Sequence, residues 1–380
     1  MISTKKILAI SVVSISSLLA SQAFAQAQEW KIGLIAPTTG PVATVGARQV
    51  ATFQWWEQQV NAKGIKGRKV KVIHCNDEAS PEKAVVCARQ LIGDGAVLLV
   101  NSSIAGPIRA TIPLVKSGPV MLTPSPNILP DPSGFVFQTS PSDADLVLAL
   151  ANYAKANGVD RIGMIASTDA SGEVGAASVA AVFPKVGMKY DLARIDLRAT
   201  DAATQLARVA GSDTPLLYST YTGGSAITVV KGYANLGLQQ PLVVSFGNVS
   251  DPFIALMKND MPKRLLATAL KGVVPELLTD PAEHERTVHF SKSYAEFRGG
   301  EHADMMNLAA LGLADIAESV LRNVDDPTNA ESVKKYLETT PIKSFQTMHF
   351  SPKNHIGLGL DDIAITEYKG GRWVKADPVK

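Results

Sequence analysis

Short hydroxyl and amide side chains repeatedly follow buried apolar runs in this chain, and the clearest case is Val97-Leu-Leu-Val-Asn-Ser-Ser-Ile-Ala-Gly-Pro-Ile-Arg-Ala-Thr-Ile112. The pattern predicts a strand that ends in Asn101, Ser102 and Ser103 and a helix that opens at Gly106-Pro107. A helix start leaves backbone N–H groups unpaired and partly positive, so hydroxyls placed there favour an anion such as a carboxylate. The same residues also serve as caps, and a serine at a strand end can be a nucleophile whose partners lie far away in sequence. Asn101 fits a ligand contact and a turn-closing bond equally well.

Four more junctions have this character. Leu122-Thr-Pro-Ser-Pro-Asn127 offers Thr123, Ser125 and Asn127 in a proline-stiffened loop, with plain turn chemistry as the alternative. Ser167-Thr-Asp-Ala-Ser-Gly-Glu173 offers Asp169 and Ser171, Tyr218-Ser-Thr-Tyr-Thr-Gly-Gly-Ser225 offers Tyr221 and Thr222, and Ser245-Phe-Gly-Asn248 adds Phe246. Each alone is ordinary cap and turn chemistry. Five together, at the ends of strands where open α/β sheets collect their ligands, point to binding of a small molecule.

Signatures of other chemistries are missing. The chain has no Gly-x-Ser-x-Gly, no Gly-x-x-x-x-Gly-Lys-Ser/Thr, no Gly-x-Gly-x-x-Gly opening a helix and no His-Glu-x-x-His. Of the 6 histidines the nearest pair, His284 and His289, shares a helix face poorly, and most read as solvated surface residues. Neither a metal nor another cofactor is expected. The pair Trp55-Trp56 lies inside a long helical stretch and reads as packing rather than a ligand cage. Cys75 and Cys87, the only cysteines, are expected to form a disulfide in an oxidising compartment.

Positioning these junctions needs alternating strands and helices. From Trp30, strands are predicted at 31–36, 69–75, 96–100, 120–122 and 135–138, with helices at 42–62, 81–92 and 106–116. A second series follows with strands at 161–166, 192–196, 215–219, 242–245 and 269–273, and helices near 173–186, 202–209, 225–236 and 252–257. Then come a mostly helical stretch from His284 to Leu337 and strands at 345–350, 363–368 and 372–374. Two successive series of this kind predict an α/β protein of two lobes with parallel-type sheets. At 380 residues the chain exceeds the usual size of one core.

Lys5-Lys6, the apolar run Ile7–Ala20 and Ala23-Phe24-Ala25 have the form of a secretory signal peptide over residues 1–25. Its apolar run is too short to span a bilayer, no later run reaches about 18 apolar residues, and no cysteine follows the cleavage site for a lipid anchor. Cleavage removes two of the 37 basic residues, which leaves them balanced against the 35 acidic ones, so nucleic acid is not an expected partner. Apolar content of 46% argues against disorder.

Three stretches, Gly33-Leu-Ile-Ala-Pro-Thr-Thr-Gly-Pro-Val-Ala-Thr-Val-Gly46, Val60-Asn-Ala-Lys-Gly-Ile-Lys-Gly67 and Asn76-Asp-Glu-Ala-Ser-Pro-Glu-Lys-Ala-Val85, resemble the periplasmic branched-chain amino acid-binding (Leu/Ile/Val-binding) family. Those proteins are substrate receptors of ABC transporters, and the likeness runs over nearly the whole chain after the leader. It implies two Rossmann-like lobes joined by three crossovers, a type I periplasmic binding protein, with lobe one at 30–142 plus 275–346 and lobe two at 143–274 plus 347–380. A ligand would lie between lobes that close over it.

Carried over by position, the resemblance implies a carboxylate site at Asn101–Ser103 and at Thr123–Asn127, with a side-chain contact at Thr44 or Val45. In lobe two it implies an ammonium grip by a tyrosine at position 171, a tyrosine near Tyr221 or Thr222, and an acid at position 246. Ser171 and Phe246 depart from it. An ammonium taken out of water without its counter-charge costs roughly 3–5 kcal/mol, so either Asp169, Glu173 or Asp251 takes over or the ligand carries a carboxylate on an apolar body without an ammonium. The expectation is a monomeric exported receptor without enzymatic activity that feeds an ABC permease. It binds a small hydrophobic or aromatic carboxylate, or a branched-chain-type amino acid. A sensory protein of the same fold, acting on a regulatory partner, is the alternative.

Overall fold

The computed structural model describes residues 29–379 apart from Pro41 and Ser212; the expected signal peptide lies outside the described residues. Two sheets organise the chain. The first contains β1 (Trp30–Ile35), β2 (Val70–Cys75), β3 (Leu98–Asn101), β4 (Val120–Thr123) and β5 (Val136–Gln138) in the order β2-β1-β3-β4-β5, all parallel. Strands β1, β3, β4 and β5 are buried almost throughout, as parallel strands covered by helices on both faces must be.

The second sheet contains β6 (Arg161–Ser167), β7 (Lys189–Ile195), β8 (Leu217–Ser219), β9 (Leu242–Val244), β10 (Leu265–Leu270), β11 (Ile363–Lys369) and β12 (Arg372–Lys375), in the order β12-β11-β10-β9-β8-β6-β7. Pairing is parallel from β7 to β10, and β11 and β12 close one edge as an antiparallel hairpin. The molecule is therefore the two-lobed, mostly parallel α/β protein that the alternation of elements predicts.

Helix starts are marked by the residues that hold them. Ser80 caps the helix Pro81–Gly93 by accepting from the Lys83 N–H, with proline in the first turn. Ser142 and Asp145 form a capping box on the helix Asp143–Ala156. Asp169 accepts from the Gly172 N–H to start Ala170–Val182. Each satisfies a backbone donor the first turn cannot, worth about 1 kcal/mol.

Three helices, Pro281–Phe297, Met305–Asn323 and Ala330–Thr339, form the helical stretch and return to the first sheet, where Met305–Asn323 packs against the helix Ala43–Asn61. Trp55 meets Phe290 edge-on at 4.9 Å and the Trp56 indole donates to Glu318, so both tryptophans are core residues. No helix among the described residues is long and apolar enough to cross a membrane.

The structure corrects several expectations. The run 345–350 is not a strand: Phe345 fills the core against Gly272 and Gly312, and only Met348 pairs, with Ile342. Strand β10 begins four residues before the predicted run, and 271–273 is a 3-10 turn that leaves the sheet. The helix after β3 spans only Ala105–Thr111 before tightening into a 3-10 turn at Ile112–Val115. His355 is fully buried, stacked on Phe137 at 3.8 Å, with its ring nitrogens against the Val136 carbonyl and the Glu338 carboxylate. It sits where the chain last passes between sheets. There the Gln138 N–H donates to the His355 carbonyl and the Gly357 N–H donates to the Gln138 carbonyl.

Cys75 and Cys87 form the disulfide, with Cα atoms 5.7 Å apart across a separation of 12 residues. The bond ties the end of β2 to the helix Pro81–Gly93 and fences off the loop holding Glu78 and Ala79, both in the left-handed backbone region at φ 51° and 60°. Replacing both cysteines with serine is expected to lower stability by about 3 kcal/mol in equilibrium denaturation. An unchanged midpoint and slope would mean that the hydrogen bonds of Asp77 and Ser80 already fix that loop.

Candidate ligand-binding cleft

The carboxyl ends of the strands in both sheets run toward one gap, and a cleft of about 720 Å³ lies there. Small-molecule sites measure roughly 300–1,000 Å³. The first lobe contributes apolar surface from Val42, Ile104, Pro107 and Pro126, with Ser103 and Asn127 as polar groups. The second contributes Leu146, Leu197 and Phe246 and a row of hydroxyls from Ser167, Ser171, Thr220, Thr222 and Ser245. Four charged residues reach the wall: Glu78, Asp143, Asp169 and Arg198.

Of the residues singled out from sequence, Ser103, Asn127, Asp169, Ser171, Thr222 and Phe246 lie on this wall. The others do not. Asn101 is fully buried, donating from its amide nitrogen to the Thr111 hydroxyl while its oxygen accepts from the Ser102 N–H. Ser102 accepts from the Ile104 N–H, and its carbonyl receives the Thr123 hydroxyl at 3.0 Å. Thr123 in turn accepts from the Ser125 N–H, and Ser125 from the Asn127 N–H. This chain of side-chain-to-backbone bonds is spent on shaping the two loops that carry Ser103 and Asn127.

Three further placements follow from geometry. Gly46 presses so closely on Pro37 that an added Cβ would sit 2.0 Å from the Pro37 carbonyl oxygen. That contact sets the roll of the helix Ala43–Asn61: Val45 turns into the core, Thr44 stays off the cleft wall, and Val42 reaches it. Tyr221 is buried, its hydroxyl donating to the carbonyls of Ile195 and Asp196. Of the acids considered as ammonium partners, Glu173 pairs with Arg194 and, like Asp251, is not on the wall.

The helix Ala105–Thr111 makes a weaker anion cradle than the sequence predicts. It has two turns, Ile104 at its start makes no side-chain cap, and Pro107 lacks an N–H. Arg198, exposed in the loop beyond β7, is the basic residue that lines the wall.

Sequence reasoning missed Arg198, Asp143, Tyr218, Thr220 and Ser245. For three of them a signal was present. Side chains alternate along extended backbone, so Tyr218, Thr220 and Thr222 share a face that Tyr221 cannot share. Arg198 follows a strand end as the other site residues do. Asp143 reads in sequence as a first-turn acid beside the capping Asp145, and nothing local separates them.

Three polar atoms on wall residues are buried without a hydrogen-bond partner: Asn127 Oδ1, Asp143 Oδ2 and Thr220 Oγ1. Such an atom typically costs about 1–3 kcal/mol until something satisfies it. Burial pushes the Asp143 carboxyl up to about 6, against a smaller lowering by the Ser178 hydroxyl. Burial, with the charge of Asp143 beside it, pushes the Tyr218 phenol well above its ordinary value. Among the described residues no three metal-ligating side chains gather in one place.

Residues 29–372 match the family model described as "Periplasmic binding protein". The chain belongs to that family. Its members are binding proteins rather than enzymes. Among curated relatives, the Leu/Ile/Val-binding protein homolog 3 of Brucella melitensis is 34% identical over 137 residues, 34% of this chain and 37% of that protein. The match thus spans about a third of the relative's length. Among solved structures, an extracellular ligand-binding receptor from Rhodopseudomonas palustris superposes with a TM-score of 0.82 at 18% identity, covering 92% of this chain and 99% of that one. An ABC transporter solute-binding protein of R. palustris in complex with benzoate gives 0.75 at 18% identity, covering 92% and 96%. At that identity the likeness concerns the fold.

The Asp143 carboxyl rises from 3.8 to about 6 on folding. Between those values the folded state keeps a proton the unfolded state has lost, so stability falls as pH rises through the window and the cost is complete above it. In the ligand-free protein Asp143→Asn should therefore raise Tm at pH 7, by an amount of the order of 2 kcal/mol in stability, and change little at pH 4. Equal melting curves of variant and wild type at both pH values would contradict the burial of this charge.

Proposed function

We propose that this periplasmic binding protein is the extracytoplasmic receptor of an ABC importer. In this reading it takes a small hydrophobic or aromatic carboxylate, or a branched-chain-type amino acid, between lobes made of 30–142 plus 275–346 and 143–274 plus 347–380. The leader at 1–25 exports it, removed after Ala25, and it works as a monomer in the periplasm. The observation that carries the reading is the composition of the cleft. Phe246, Leu146, Leu197 and the aliphatic residues of the first lobe give an apolar body its contacts, while Arg198 and the hydroxyls give a carboxylate its donors.

The relatives support both halves of the ligand class: one is a Leu/Ile/Val-binding protein homolog and one solved structure holds benzoate. No covalent step is required of any residue. Closure of the lobes would follow binding, with affinity set by how much better the closed state holds the ligand than the open one.

A panel of branched-chain amino acids, their deaminated acids and aromatic carboxylates tests the reading by thermal shift. A ligand present at 100 times its Kd should add about 2.7 kcal/mol to stability. Phe246→Ala is expected to weaken the best ligand by roughly 10- to 100-fold, since burying an aromatic side chain is worth about 1.5–3 kcal/mol; a ligand-free melting curve checks that the variant folds. Arg198→Ala should weaken every carboxylate in the panel. A panel in which nothing shifts Tm would overturn the proposal.

A further inference from the structure

The two lobes also touch beside the cleft. Val249, which follows the turn Phe246–Asn248, is fully buried. Its carbonyl accepts the N–H of Met305, the first residue of the helix Met305–Asn323, at 3.3 Å. A helix gives the N–H of its first residue no partner of its own, so the second lobe supplies what this helix start lacks. The turn is fixed from behind: Asn248 accepts the Gly223 N–H at 2.8 Å and donates to the Tyr221 carbonyl at 2.7 Å. One segment thus presents Phe246 to the cleft and Val249 to the opposite lobe.

Next to this contact lies a cluster with more negative than positive charge. Asp304, the N-cap of the same helix, accepts from the Met306 and Asn307 N–H groups with Oδ1, and its side chain is 4% exposed. Arg48 Nε lies 3.0 Å from Asp304 Oδ2 but out of line for a hydrogen bond. The Arg48 guanidinium donates instead to Glu301, which Arg298 also holds, and Tyr294 stands beside it. From the other lobe the short helix Asp251–Met257 brings Asp251, whose charge acts on Asp304. The buried carboxyl therefore shares its cation with a second acid and meets a third when the lobes are together. Burial outweighs the pull of Arg48 and, with Asp251, raises the Asp304 carboxyl to about 6.

We infer that the contact between Val249–Asp251 and the start of the helix Met305–Asn323 is a proton-linked latch between the lobes, held shut when Asp304 takes up a proton and loosened when it ionises. Parting the lobes would give Asp304 water and remove Asp251, which favours the ionised form; bringing them together favours the protonated one. Between the ordinary carboxylate range and about 6 the closed arrangement keeps a proton that the open one has lost. Closure is therefore favoured as pH falls through that window, and the advantage is gone above it. Against an open form with an ordinary carboxyl, pH 5 should favour closure about tenfold more than pH 8 does. The latch lies off the cleft wall, so it goes beyond the proposed ligand class and bears on any ligand that needs both lobes.

The ligand-free protein provides the test, by small-angle X-ray scattering and by hydrogen exchange of the Met305 amide corrected for its intrinsic rate, at pH 5 and pH 8. Wild type should show a smaller radius of gyration at pH 5 and an amide about tenfold better protected there. Asp304→Asn keeps a side chain that caps a helix equally well and should hold the compact, protected state at both pH values. Asp251→Asn should shrink the difference, and Asp143→Asn, which removes the other raised carboxyl, should retain it; melting curves confirm that each variant folds. Wild type alike at both pH values by both measures would overturn the latch. So would a pH difference that persists in Asp304→Asn or vanishes in Asp143→Asn.

Discussion

Parallel strands cannot be joined by tight turns, so each must be followed by a crossover that brings the chain back over the sheet before the next strand begins. With β1 to β5 parallel in one sheet and β6 to β10 parallel in the other, every strand in these sets releases its loop at the same edge. The two edges face each other, and nearly all polar residues of the cleft come from such loops. Short hydroxyls and amides recur there because they bond to nearby backbone and so fix loops without bulk. The Thr123 hydroxyl on the Ser102 carbonyl and the Asn248 amide on the Tyr221 carbonyl do this in the two lobes.

The alternation that produces this arrangement was legible in the sequence, because periodic apolar runs and their caps are local signals. Which residue of a loop faces the ligand was not. Ser102, Thr123 and Ser125 have the same chemistry as Ser103 and differ only in being consumed by backbone groups, which depends on how β3 and β4 lie side by side. Tyr221 lies off the wall because alternation along the extended backbone puts Thr220 and Thr222 on the other face. Asp143 could not be identified locally, since its exposure to the cleft depends on the second sheet packing behind it. The run at 345–350 read as a strand because core-filling aromatics and strand residues share a composition.

The wall as a whole is more acidic than a receptor for a plain anion needs: three acidic residues and one arginine line it. Two of those carboxyls are used within the protein, and the remaining one, Asp143, is buried with Oδ2 unpaired, a cost that Asp143→Asn is expected to relieve at neutral pH. Stability given up at a binding site in this way is recovered when the right partner arrives, which makes the same feature a source of selectivity. The disulfide acts in the opposite direction, holding the strained loop at Glu78 and Ala79 against the cleft.

The most direct measurement is a crystal structure of the protein grown with the panel ligand that raises Tm most. Density is expected between the lobes, with the apolar body against Phe246 and the carboxylate at the donors of the wall. A ligand bound outside that gap, with the cleft itself open to solvent, would contradict the account.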